Sequence, residues 1–260
     1  MTTGYRVFMD GQPLDGVSEC VIVRDVIEHA PVYDLSAVPM VGCIGQRVTR
    51  QVLRSLTVEV QAEVHARRVE ERQTVLDAIR AWSRGTWLTT AARPGRRLRV
   101  SSARFGGECS QLRWTDMVSI LLTACDPPCW EDEQAAEAVL TGRTGTVSLY
   151  LPGTMETPVT ARIRTNGSTA VENVRIGKGT RYMQLEGVGL VRGETLHIRR
   201  SAAGVLELVI EEADGSMRSV YGTRTADSAD QLMLAPGRND MEVSADADVV
   251  WTISGRGRWL

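Results

Sequence analysis

The chain has 260 residues, 43% of them hydrophobic and 24% charged, which is a globular composition long enough for one large domain or two ordinary ones. No run of about 18 apolar residues could span a bilayer, so membrane insertion is not expected. With 30 basic against 32 acidic residues the net charge is -2, which gathers neither phosphate backbones nor anionic lipid, and nucleic-acid recognition is not expected either.

The start, MTTGYRVFMDGQ, lacks the basic segment followed by an apolar stretch that a secretory signal needs, so synthesis in a cytoplasm is expected. In Tyr5–Leu14 the turn signal DGQP separates two predicted strands, and CVIVRDVIEHA follows as a Val/Ile-rich strand. Residues 30–47, with two prolines and two glycines and no clear period, read as a long excursion or hairpin. Next comes the sharpest strand: Arg54, Leu56, Val58, Val60, Ala62 and Val64 alternate with Ser55, Thr57, Glu59, Gln61 and Glu63, one face buried and one wet. A single amphipathic helix is predicted over about 67–84, with Val69, Gln73, Leu76, Ile79 and Trp82 on its apolar face and Gly85 as its stop.

Three strand-like runs follow, TWLTT, RRLRVSSARF and SQLRWTDMVSILLTAC. The last is nearly continuous in apolar character from Met117 to Ala124, which predicts cover on both faces. It ends at Asp126-Pro127-Pro128, because proline cannot donate to a ladder. From about residue 134, short strand-like runs recur every ten residues or so without helical period, the pattern of an all-β sandwich or barrel. The expected domains are therefore 1–130 and 131–260.

Candidate sites are weak. Cys20, Cys43, Cys109, Cys125 and Cys129 are an odd, scattered set read as free thiols. Cys125 and Cys129 lack the second pair that a structural zinc needs and the two-residue spacing of a redox motif, so no metal and no cofactor is expected. Cys109, in GECSQ, has no nearby base, and His65 and His197 read as solvated strand residues. The GxG of RIGKG lacks a following helix and a third glycine. Glu211 and Glu212 are adjacent on a strand and point to opposite faces, which separates them as a carboxylate pair. No enzymatic activity is expected. For carbohydrate contact the aromatics considered are Tyr182, Tyr221, Trp251 and Trp259, with Arg162, Arg164, Arg199 and Arg200 as hydroxyl partners; Tyr182, Tyr221 and Trp251 are the candidates kept, although core filling is the commoner use of aromatics in a sandwich.

Two stretches carry a resemblance beyond these patterns. GVGLVRGETLHIRR, LMLAPGRNDMEV and VVWTISGRGRWL, in that order, resemble the galectin-like domain of the distal tail (Dit) proteins of long-tailed, siphovirus-type bacteriophages. The hairpin excursion, RSLTVEVQAEV, the helix ending IRAWSRG, RLRV and the DPPCW exit are similar to that family's ring-forming domain. His197 and Arg199 depart from the usual Ile-Asp after the GETL motif, and Cys129 stands where an aromatic is common.

The resemblance implies a mainly β chain: an N-terminal β-sandwich-like domain with one helix and a long hairpin arm, then an all-β galectin-like sandwich. It also implies a homohexameric ring at the virion tail tip, part of the baseplate hub. Its partners would be the tail tube protein, a tail hub or tape-measure-associated protein, and a receptor-binding or side-fibre protein. The rival expectation is a carbohydrate-binding module that recognises host cell-wall polysaccharide.

Overall fold

The computed structural model describes residues 6–39, 44, 46–106, 115–201 and 204–260. It is mainly β, with a single α-helix among the described residues, and the chain divides into two compact units, Met1–Glu133 and Gln134–Trp259.

The first unit opens with a hairpin of β1 (Val7–Met9) and β2 (Gln12–Pro13). Asp10 and Gly11 between them hold φ of 51° and 82°, the doubly left-handed geometry that Asp-Gly tolerates and that matches strand twist. The Asp10 carboxylate accepts the backbone N–H groups of Thr86 and Trp87, each at 2.9 Å, tying this hairpin to β6 (Trp87–Thr90). One sheet runs β2-β1-β6-β7-β10, where β7 is Arg96–Arg99 and β10 is Trp130–Asp132. The other runs β3-β5-β9-β8, from Val21–Glu28, Gln46–His65, Thr115–Ala124 and Ser102–Gly106 respectively.

Three details depart from the sequence expectations. RRLRVSSARF is two strands in different sheets, because the Val100 N–H bonds the Thr86 carbonyl while the Ser101 N–H bonds that of Thr123. The β9 strand is fully buried on one face only: Val118, Ile120, Leu122 and Ala124 are buried, whereas on the other face Ser119, Leu121 and Thr123 are half-buried and Met117 is 50% exposed. The helix α1 (Val69–Trp82) buries Arg72, Val75, Leu76, Ile79 and Trp82, leaving the expected Val69 and Gln73 outside. Arg72 can turn inward because its guanidinium meets the buried Asp116 carboxylate at 3.0 Å, which compensates both desolvated charges.

The exit DPPCW closes this unit. Glu28, at the end of β3, takes both Arg93 nitrogens at 2.8 and 2.9 Å and the Trp130 indole N–H at 2.6 Å. Arg93 also lies over the Trp130 ring, so the tryptophan is gripped at its face and its edge.

In the second unit the long strands β11 (Ala136–Leu151) and β20 (Gly237–Gly255) pair antiparallel along most of their lengths. A bulge between Gly142 and Thr144 reverses which β11 residues face inward. Ala136, Ala138 and Leu140 pack against the core before it, and Val147, Leu149 and Leu151 form part of the core after it. On its far edge β20 pairs first with β14 (Val171–Lys178) and then with β13 (Thr160–Thr165). Beyond β14 lies β15 (Arg181–Leu190); beyond β13 lie β16 (Thr195–Arg200), β17 (Leu206–Glu211) and β18 (Met217–Ser219). The short pair β12 (Thr157–Pro158) and β19 (Met233–Leu234) is separate. One continuous apolar cluster, including Ile163, Ile176, Leu196, Ile210 and Trp251, fills the unit.

Asn239 explains the LAPGRN segment. Its fully buried amide accepts from the Ala235 N–H at 2.9 Å and the Lys178 ammonium at 2.8 Å, and donates to the Ala235 and Gly237 carbonyls at 2.8 and 3.1 Å. Gly237 between them takes φ of 95°, a conformation glycine adopts without strain.

Candidate functional site

The strand β5 outruns its own sheet. Its second half pairs with β3 and β9, whose ladders end at Val58 and Leu56, and Leu56, Val58, Val60, Ala62 and Val64 are buried. Its first half, from Gln46 to Ser55, pairs only with β4 (Val32–Pro39). Ten residues at roughly 3.3 Å each make a two-stranded arm about 33 Å long. Register shifts at Val32/Tyr33 and Ser36/Ala37 set its faces: Tyr33, Leu35 and Ala37 lie opposite Leu53, Gln51 and Val48. Directly opposed residues share a face, so one side of the arm is almost wholly apolar. The other side mixes Asp34, Ser36 and Val38 with Arg47, Arg50 and Val52.

Leu35 is 61% exposed and Val48 53% exposed, and Tyr33 is exposed beside them. A two-stranded ribbon with one bare apolar face and open edges is marginal in water, and burying each such side chain is worth about 1.5–3 kcal/mol.

The remaining candidates show no reaction centre. Cys125 is exposed, with its N–H on the Ser101 hydroxyl at 3.0 Å, and Cys129 is buried. Cys43 and Cys109 lie outside the described residues. Among the described residues no cluster of three or more His, Cys, Asp or Glu could hold a metal ion.

Each histidine meets a carboxylate: His29 meets Glu59 at 3.1 Å, His65 meets Glu63 at 3.2 Å and His197 meets Glu211 at 2.9 Å. The Ser119 hydroxyl donates to Glu59 at 2.8 Å, so serine, glutamate and histidine do line up. The carboxylate stands in the middle, however, and nucleophilic catalysis needs the base against the hydroxyl. The consequence is electrostatic: the Ser119 hydrogen bond, then that of Gln61, hold the Glu59 carboxyl below its ordinary range against the opposing cost of burial, with His29 adding to the effect. Glu212 takes Arg218 at 3.2 Å, so the two adjacent glutamates serve separate pairs.

The predicted sugar-contact aromatics are not brought together as one platform. Trp251 is fully buried in the core and its indole N–H donates to the Gly142 carbonyl at 3.1 Å, so it offers no ring face to a ligand. Tyr182, on β15, is half-buried under the Arg175 guanidinium, 4.3 Å from its ring centroid. Tyr221 is 49% exposed in the one-turn helix Tyr221–Thr223, with Arg224 over its ring at 5.5 Å. Of the arginine candidates, Arg162 pairs with Glu137 at 3.0 Å, Arg199 with Glu207 at 3.0 Å, and Arg200 bonds Gly204 and Gln231.

Comparison with known proteins finds matches of fold among solved structures of phage tail proteins. A solved structure of phage SPP1 Dit, described as a paradigm of the hub adsorption apparatus in phages that infect Gram-positive bacteria, matches with a TM-score of 0.69. That match covers 97% of this chain and 98% of the other at 15% identity. The chain has the SPP1 Dit fold. Two structures of the phage p2 baseplate in its activated conformation, with Ca and with Sr, match over 97% and 96% of this chain at 8% identity and TM-scores of 0.50. No protein-family model and no curated protein sequence matches.

Proposed function

We propose that this chain is a structural, non-enzymatic component of a phage or prophage tail tip. Copies associate into a ring of six that joins the tail tube to the hub and receptor-binding apparatus below, in the virion and after synthesis in the host cytoplasm. The observation that carries this reading is the shared fold with SPP1 Dit over nearly the whole chain, in both compact units. The bare apolar face of the β4–β5 arm supports self-association, because a ring of head-to-tail copies gives each arm a neighbour to lie against.

Native mass spectrometry of the full chain tests this. A single species at six times the 28.5 kDa chain mass is expected. Leu35→Glu combined with Val48→Glu should reduce it to monomer with an unchanged circular dichroism spectrum. A native chain that stays monomeric at high concentration, or a double variant that still forms the ring, rejects the arm as the assembly surface.

A further inference from the structure

The outward face of the sheet formed by β15, β14, β20 and β11 has an organised polar surface. Cross-strand partners place Thr146, Glu242, Gly177 and Tyr182 in one row and Thr144, Ser244, Arg175 and Gln184 in the next. The rows lie two residues apart on every strand, so all eight share one face, opposite the buried Val147, Met241, Val243, Ile176, Met183 and Leu185.

Between the rows is an open groove of about 350 Å³, lined by Thr144, Thr146, Arg175, Gly177, Glu242 and Ser244. Gly177 forms its floor. A Cβ there would lie 2.7 Å from the Tyr182 Cβ and 2.8 Å from the Arg181 carbonyl oxygen, so only glycine keeps the hollow and lets β15 approach. Stacking on Tyr182 holds the Arg175 guanidinium at the rim. The neighbouring Lys178 turns away to bond Asn239. Among the described residues, the side chains of Arg175 and Glu242 make neither a hydrogen bond nor an ion pair, as is also true of other surface charges such as Arg164 and Arg192, but here the two stand together at one groove.

The groove therefore presents a fork of unused donors, a carboxylate with unused acceptors, and three hydroxyls that can do either. An anion would face Glu242, a cation would face Arg175, and an apolar ligand would strand both from water. A ligand dense in neutral hydroxyls satisfies all of them, because adjacent sugar hydroxyls can be gripped by a guanidinium on one side and a carboxylate on the other. We propose that this groove binds an uncharged oligosaccharide. The proposal goes beyond the assembly role and does not depend on it, since none of these residues belongs to the arm.

Saturation-transfer difference NMR on the full chain tests it. The probes are maltotriose, cellotriose, galactotriose and fully N-acetylated chitotriose, with poly(glycerol phosphate) as an anionic contrast. At least one neutral trisaccharide should receive saturation. Arg175→Ala and Glu242→Ala, both at exposed positions, should each weaken that binding roughly tenfold or more through loss of direct hydrogen bonds. Tyr221→Ala should leave it unchanged. Absence of signal from every neutral probe, binding of the anionic polymer alone, or full binding by both groove variants would overturn the proposal. Native mass spectrometry of the same variants should still give the parent assembly, which separates loss of sugar binding from loss of the ring.

Discussion

The amide of Asn239 offers the sharpest test of how the second unit is held together. Asn239→Ala deletes four hydrogen bonds at a fully buried position. Lys178 is exposed and its ammonium returns to water, so that bond contributes little. The other three join the amide to the turn's own backbone, and at about 0.5–1.5 kcal/mol each they total about 1.5–4.5 kcal/mol. Asn239→Asp is the informative companion. It keeps the acceptor for the Ala235 N–H but turns a donor into an anion against the Ala235 and Gly237 carbonyls, so it should cost as much as alanine or more despite its similar shape. Guanidinium unfolding followed by circular dichroism and tryptophan emission measures both, read as a shift of midpoint at constant slope. An alanine variant within about 0.5 kcal/mol of the parent would show that the turn does not need its side-chain lock, and the reasoning would fail.

Asp116→Ala leaves the Arg72 guanidinium buried without that carboxylate and should cost about 3–5 kcal/mol, whereas Arg72→Met with Asp116→Leu should recover most of the loss in the same unfolding assay. Ser119→Ala removes the main cause of the lowered Glu59 pKa, so an NMR titration should find that carboxyl moved up towards 4.5. In the parent the depressed value contributes stability that is present above about pH 4.5 and is lost as pH falls through the folded-state pKa. The variant should therefore lose less stability on acidification over that window. For the thiols, a maleimide added to the folded chain should modify Cys125 and spare Cys129, as peptide mass mapping can show; equal labelling would contradict the burial of Cys129.

Much of the architecture was legible in the chain itself. Strict alternation from Leu56 to Val64 marks one buried and one wet face, because side chains on a strand have a period of two, and the structure buries those five residues. The hairpin at 30–47 and the single helix are local matters of turn chemistry and periodicity, and both stand near their expected positions. Local pattern failed where a distant partner decided. Arg72 turns inward only because Asp116, 44 residues away, is there to meet it. RRLRVSSARF divides between sheets because Thr86 and Thr123 offer carbonyls on different sides. Trp251, a plausible sugar platform by residue type, is core because β11, more than a hundred residues earlier, brings the Gly142 carbonyl to its indole.

The same division governs function. Hydrophobic period and turn residues, which are written locally and in sequence, determined that the chain is mainly β, and the order of its motifs carried the resemblance to the Dit fold. Only the tertiary structure decided which surfaces stay open: that Tyr33, Leu35, Val48 and Leu53 share one uncovered side of an arm, and that Thr146, Glu242, Arg175 and Tyr182 meet around a glycine floor. Which residues become neighbours across a sheet depends on strand register and bulges, and these are set by contacts between segments far apart in the chain.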